Sequence, residues 1–361
     1  MTSIHIPRQR LFNQHISRPS FAHPAKIIDW MGAVQAQDFG AAKWALGLRA
    51  NGLTDSAIEQ AFNAGEILRT HILRPTWHFV TPSDIRWMLM LTSPRVKAFN
   101  ATYERKFGLE AATFHQSNRV LEQTLQGGKT LTRPQLESAL REAGIPTDDL
   151  RAMLLVMRAE LDGVICSGPR QGKQFTYALL EERVQPAPQR TRDEALAELS
   201  RRYFTSHGPA TLADFAWWSG LSKTDARSGL EAAKSQLVSE TIEGQTYWFN
   251  GTATAGQDHP QRAFLLPCYD EYIVAYADRS AITGRIQPDK LDARGNVLFN
   301  NILIIDGQVT GTWKRIPKKD QAIIELNAFT PLPPAEEQAV KAAADQYGAF
   351  LGLPVVIKEK S

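Results

Sequence analysis

Only two cysteines occur in 361 residues, Cys166 and Cys268, and they lie far apart. Two such thiols leave no room for a disulfide framework or a zinc cluster and fit a reducing compartment. No uninterrupted apolar run approaches the length that spans a bilayer. Met1 to Arg10 carries charge with no apolar segment behind it, so a secretory leader is not expected. A cytoplasmic protein without membrane contact follows. The excess of charge is small, +3, which neither demands a nucleic-acid partner nor forbids one, since a local basic stripe suffices. The chain has no Walker loop, Rossmann glycine fingerprint, nucleophile elbow or metalloprotease helix. Gly127-Gly128 reads as a helix stop. What remains is ordinary globular material, 43% hydrophobic and 22% charged, and long enough for two to four domains.

The middle of the chain shows how this material is organised. A helical stretch from Ser117 to Leu125 stops at Gly127-Gly128. Thr132-Arg-Pro-Gln135 is a capping box with proline in the first turn, opening a helix that turns Leu136 and Leu140 inward and stops near Gly144. Leu150, Met153, Leu154, Met157 and Leu161 repeat at helical spacing. Two β-rich pieces follow, Val164–Cys166 and Phe175–Leu179, separated by a turn over Pro169–Lys173. The order recurs after Arg192. A helix covers Asp193 to Phe204, Thr211–Asp214 and Ser222–Asp225 cap two more, and Ala226, Leu230, Ala233 and Leu237 share a face. A hairpin then pairs Leu237–Ile242 with Tyr247–Phe249 through Glu243-Gly-Gln245. The first copy is looser. Ile27, Met31 and Val34 mark one helix, Ile58, Ala61 and Phe62 another, and Leu68–Leu73 pairs with Trp77–Val80 around Arg74-Pro-Thr76.

Three helices and a hairpin, three times over, predict three tandem winged-helix units in an α+β protein. A generic α+β fold with three capped helical bundles is the plainer alternative. Pro186–Gln189 reads as a linker. The expected boundaries are 1–114, 115–188 and 189–256, with a C-terminal β-barrel-like domain over 257–361. In that tail Ala263–Leu266, Tyr272–Ala275, Val297–Phe299, Ile302–Ile305, Val309–Trp313 and Ile323–Leu326 read as strands. Asp306-Gly307 is a hairpin turn, and Pro331–Pro334 introduces a closing helix from Ala335 to about Leu351.

Gln35 and Gln37 are expected at the end of an apolar helix, just before Gly40. On a continuing helix residues two apart diverge, so both amides meet one site only if the helix stops there, which Asp38 and Gly40 allow. A glutamine does not titrate near neutrality, but its carbonyl can orient a water or stabilise a developing positive charge. That suits a leaving group already cationic, such as an N-alkylated purine. On the residues alone, two capping or surface glutamines is the simpler reading. In Arg69-Thr-His-Ile-Leu-Arg-Pro-Thr-Trp-His78, alternation puts Arg69 and His71 on one face, with Arg74 at the turn and Trp77 and His78 beyond. These residues could clamp phosphates and stack on a base; an ordinary polar hairpin fits as well. No carboxylate or cysteine completes a metal site with the two histidines. Arg170 and Lys173 in one wing turn, and Lys223 and Arg227 on a later helix, suit phosphate contacts, or simply form solvated surface. Asp270-Glu271 and Asp278-Arg279 could form an acid–base pair, though a structural ion pair explains them as well.

Gln35-Ala-Gln37, Leu73–His78, Leu265–Asp270 and Asp306–Trp313 together resemble the AlkZ-like winged-helix family of bacterial DNA glycosylases, from about Arg8 to the C-terminus. The resemblance implies three winged helices and a C-terminal β-barrel around a concave channel for double-stranded DNA. It also implies excision of N-alkylated purines, with interstrand crosslinks as substrates of some members. The family's catalytic motif, two glutamines flanking an aliphatic residue, matches Gln35 and Gln37; a sister branch has aspartate in place of the second. The implied reaction is monofunctional hydrolysis, with both glutamines holding water below the anomeric carbon and an abasic site left behind. No metal or organic cofactor is called for. A monomeric, nucleoid-associated enzyme is the expectation, and a non-catalytic winged-helix DNA binder or regulator is the alternative.

Overall fold

The computed structural model describes residues 4–251, 262–286 and 296–359. The chain is a mixed α+β fold. After α1 (Ile6–Asn13) come α2 (Pro24–Met31), β1 (Val34–Gln35), α3 (Phe39–Leu48), α4 (Asp55–Ala64), β2 (Leu68–His71) and β3 (Trp77–Val80). The short β1 pairs with β3, giving the sheet order β1-β3-β2. A 22-residue helix, α5 (Ile85–Lys106), leads on. The same layout then repeats as α6 (Ala111–Leu125), β4 (Leu131–Thr132), α7 (Arg133–Glu142), α8 (Arg151–Leu161), β5 (Ile165–Ser167) and β6 (Thr176–Leu179), in the order β4-β6-β5. A single-turn helix, α9 (Leu180–Arg183), closes it. The third copy is α10 (Arg192–Ser206), α11 (Leu212–Ser219), α12 (Lys223–Ala233), β7 (Val238–Ile242) and β8 (Gln245–Phe249), with a bridge from Ala210 to Trp248 where the short strand would be.

Local chemistry explains the element ends. Capping boxes open α7 at Thr132, α10 at Thr191 and α11 at Thr211, and the Ser222 hydroxyl caps α12. The β7–β8 turn places Glu243 and Gly244 at φ of 50° and 77°, and the Asp306-Gly307 turn repeats this at 52° and 80°, the two positive values of a two-residue hairpin. The three hairpins lie in three separate sheets.

The tail contains β9 (Ala263–Leu266), α13 (Glu271–Val274), β10 (Ile302–Ile305), β11 (Gln308–Pro317), β12 (Ala322–Ala328), α14 (Pro334–Leu351) and β13 (Val355–Glu359). Its strands run in the order β13-β12-β11-β10-β9, antiparallel except where α14 crosses over to make β13 parallel to β12. Two expected strands are not strands. Tyr272–Ala275 falls in α13 because the Asp270 carboxylate accepts the Tyr272 N–H and caps a helical turn. Val297–Phe299 lies in a 3₁₀ turn. Helix α6 begins at Ala111, so a boundary after residue 114 would cut it; the boundary at 256 falls outside the described residues.

The cores do not follow the repeats. α2, α3 and α4 share one core with the tail sheet and α14, where Phe62, Ile304, Ile324 and Tyr347 meet. Trp44 binds them further, its indole N–H donating to the Leu265 carbonyl at 2.6 Å. The β2–β3 hairpin and α5 share a second core with the third repeat. Only the second repeat packs mostly on itself. The first repeat is thus fixed from two sides by parts of the chain made much later.

Candidate active site

The two glutamines do not end a helix. Gly32, at φ 81°, stops α2 at Met31, and Val34 and Gln35 leave it as β1, so Val34 is a strand residue and not a helical one. Ala36 continues the ladder, its N–H donating to the Trp77 carbonyl at 2.7 Å, before the Asp38 side chain caps α3 by accepting the Ala41 N–H at 2.8 Å. The backbone bends at Gln37, between β1 and the cap of α3. Both amide oxygens meet the loop between β2 and β3: Gln35 accepts from Arg74 at 2.9 Å and Gln37 from the Trp77 N–H at 3.4 Å. Gln35 is buried and Gln37 is exposed, so one amide lies inside the site and the other at its mouth.

The loop itself is aimed by close packing. Leu73 takes a left-handed φ of 64°, costly for a branched side chain. Its carbonyl oxygen approaches Gly220 so closely that a Cβ there would lie 2.2 Å away. Arg74 then reaches both Gln35 and the Trp218 carbonyl, at 2.7 Å. On the far side of Gln35, the Glu271 carboxylate accepts its backbone N–H at 2.6 Å and the Trp218 indole N–H at 2.9 Å. His207 Nε2 lies 3.4 Å from the same carboxylate. Glu271 is fully buried. Burial works to raise its pKa, but the His207 contact, the Arg74 charge and the Gln35 N–H hold it well below the usual carboxylate range. Burial lowers His207 below its ordinary value, so its ring is neutral near pH 7.

Gln37 has different neighbours. Arg69 donates to the Ala36 carbonyl at 2.9 Å and lies over the rings of Trp77 and Phe175, at 4.4 and 4.6 Å. Burial brings it down to about 10, still charged at neutral pH. His71 packs on the same Trp77, ring centres 4.2 Å apart, and its Nδ1 bonds Glu160 of α8. The Arg69 N–H donates to the Ser167 hydroxyl at 2.8 Å, which ties β2 to the second repeat.

Several residues expected to hold phosphates are occupied otherwise. Arg69, His71 and His78 are buried, and burial together with Arg74 lowers His78 to about 3. Arg74 is turned onto Gln35 and Trp218, and Trp77 is half-buried in its stack. Arg170 pairs with Glu59 at 3.0 Å and donates to the Lys173 carbonyl of its own turn at 2.7 Å. Lys173, Lys223 and Arg227 stay exposed. Of the acidic pairs, Asp270 makes a fully buried ion pair with Arg49 at 2.8 Å, while Asp278 is exposed and accepts the Ser280 N–H. Sequence reasoning singled out neither Trp218 nor His207, and weighed Glu271 only as part of an acid–base or structural ion pair. Among the described residues no group of His, Cys, Asp and Glu could hold a metal, and no helix is long and apolar enough to cross a membrane. Two clefts of about 670 and 910 Å³ lie elsewhere, one under the tail helix and one between α5 and α6.

A family model described as DNA glycosylase AlkZ-like matches residues 28–350 of this chain. No curated protein matches it. Among solved structures, the Streptomyces sahachiroi DNA glycosylase AlkZ is similar, with a TM-score of 0.77 and 20% sequence identity, over 99% of this chain and 100% of that one.

Proposed function

The chain belongs to the AlkZ-like DNA glycosylase family, and from its site we propose that it hydrolyses the N-glycosidic bond of N-alkylated purines in double-stranded DNA, with Gln35 and Gln37 as the catalytic residues. The observation that carries this reading is the pair of neutral amides two residues apart, both bonded to the Arg74–Trp77 segment, one buried and one exposed. A purine alkylated on a ring nitrogen is already cationic, so it leaves as a neutral base with the bond's electron pair and needs no general acid. The sugar becomes oxocarbenium-like. Gln37, whose carbonyl oxygen has only a long 3.4 Å contact, faces that charge and orients a water toward the anomeric carbon. Gln35 has its carbonyl oxygen committed to Arg74, so its NH₂ group is the part left to hold the water. As the water oxygen bonds to carbon its proton passes to solvent, since neither amide can keep it. No lysine takes part, so an abasic site is the product.

The recurring helix–short strand–helix–helix–hairpin layout, with the short strand paired to the last strand in the first two copies and bridged to it in the third, supports three winged-helix units. We place them at about 24–80, 111–179 and 192–249, followed by the β-barrel-like tail. Exposed Lys173, Lys223 and Arg227 are the phosphate contacts of a monomer acting on duplex DNA in the nucleoid, and crosslinked purines fall within its substrate class. The test is single-turnover excision from a duplex carrying N7-methylguanine, read by mild base cleavage at abasic sites. Wild-type protein should cleave and Gln37→Ala should be about ten- to a thousandfold slower at unchanged DNA affinity. Equal rates would sink the catalytic assignment.

A further inference from the structure

We propose that Glu271 is a positioning residue for excision, closing a ring of hydrogen bonds that fixes Gln35 by its backbone and its side chain at once; this rests on Gln35 being catalytic. The ring can be followed atom by atom. The Gln35 N–H donates to Glu271 Oε1 at 2.6 Å. The other carboxylate oxygen accepts the Trp218 indole N–H at 2.9 Å. The Trp218 carbonyl accepts from Arg74 at 2.7 Å, and the second arm of the same guanidinium donates to Gln35 Oε1 at 2.9 Å. Four residues from β1, the β2–β3 loop, α11 and α13 thus close on one amide.

The chemistry of the four members explains why a carboxylate stands at position 271. Both of the ring's donors on that side are N–H groups, and only a group with two acceptor oxygens takes both without presenting a donor of its own. A glutamine of the same shape would turn an NH₂ toward either Gln35 or Trp218. No arginine or lysine forms an ion pair with Glu271 among the described residues, so its charge is met by N–H donors, by His207 and by Arg74 across the ring. An ionised buried group is costly to keep unless donors satisfy it, which ties Glu271 to the Gln35 and Trp218 N–H groups. A buried ion pair with an ordinary holding role is present one residue away, in Asp270 with Arg49. Glu271 differs in that its strongest contact is the backbone of the reacting strand.

A double-mutant cycle on single-turnover excision of N7-methylguanine from duplex DNA tests this, using full-length protein at saturating enzyme. Glu271→Gln should slow excision about ten- to a hundredfold, the scale of a misplaced reacting group, with DNA affinity unchanged. In the Gln35→Ala background the same substitution should cost almost nothing further. Equal fold losses in both backgrounds would overturn the proposal while leaving Gln35 catalytic. A Gln35→Ala rate equal to wild type would remove the premise and the proposal with it. Should Glu271→Gln fail to fold, Arg74→Lys takes its place in the cycle. It keeps the charge but loses the two-armed grip, and its loss must again vanish without the Gln35 side chain; an additive loss overturns the proposal.

Discussion

Gln35 and Gln37 stand two residues apart, yet the protein holds them by opposite means. Around Gln35 the grip is hydrogen bonding to charged groups, Arg74 of the β2–β3 loop and Glu271 of the tail, both braced by Trp218 of the third repeat. Around Gln37 it is packing: a stack of His71, Trp77, Arg69 and Phe175, anchored in the second repeat through Glu160 and Ser167, with one long hydrogen bond to the amide itself. The buried amide is fixed before substrate arrives. The exposed one keeps freedom of its own and is ordered by what it meets. A site that acts on damaged DNA gains from one rigid member and one adaptable one.

The comparison breaks most visibly on the glutamines themselves. Gln35→Ala and Gln37→Ala should each slow excision about ten- to a thousandfold, but only the first should destabilise, by about 1–3 kcal/mol, because it orphans Arg74 in a buried ring. Gln37→Ala should stay within about 0.5 kcal/mol of wild type. Excision kinetics and urea midpoints on the same samples decide it, and equal stability losses would erase the asymmetry. Gln37→Asp should remain active, since an exposed carboxylate stays solvated, and inactivity there would argue that the mouth is as tightly built as the interior.

Next in size is the support under Gln37. Glu160→Ala should cost about 3 kcal/mol by leaving His71 without its buried partner. It should slow excision far less than Gln37→Ala does, because the stack acts on the amide only through the backbone. A loss of rate matching Gln37→Ala would make the stack as direct as the ring.

Acid should act more on the Gln35 side. His78 and His207 have folded pKa values pushed below the ordinary 6.5, and Glu271 one below 4.5. In each case the unfolded chain binds more protons between the two values, so stability is present above the ordinary pKa and is lost as pH falls. The melting temperature should drop from pH 6.5 toward pH 4 through the histidines and further below 4.5 through Glu271. His78→Gln should flatten the upper part of that fall. A profile flat from pH 7 to 4 in the wild type would contradict the neutral, buried state of both rings.

The smallest effects belong to the exposed cations. Lys173→Ala, Lys223→Ala and Arg227→Ala should each reduce the salt slope of duplex binding by about one and leave excision from bound DNA unchanged. Unaltered slopes would move the DNA path away from these residues.

The sequence made much of the frame legible and little of this asymmetry. Capping boxes at Thr132 and Thr211, the turn at Asp306-Gly307 and the three hairpins are local signals, and local signals were enough. β1 was not legible, because two residues carry no period and their partner strand lies more than forty residues on. Four apolar residues at Tyr272–Ala275 fit strand or helix equally until the Asp270 cap decides. Gln35 and Gln37 drew attention as a close pair before Gly40 and were tied to catalysis by the family resemblance, while most of the residues that hold them were not. Glu271 sits beside Asp270, and in the sequence the two read alike, as members of an acid–base or structural ion pair. What separates them is a contact spanning 236 positions for one and 221 for the other, to a strand backbone in the first case and to an arginine in the second.

The ring around Gln35 also sets a timetable for the chain's manufacture. Its members stand at positions 35, 74, 218 and 271, so the ribosome adds 236 residues between the first and the last. Both glutamines emerge early and wait. A nascent or prematurely terminated chain therefore carries both amides without the means to hold the inner one, and the arrangement proposed for excision is complete only once residue 271 has been added.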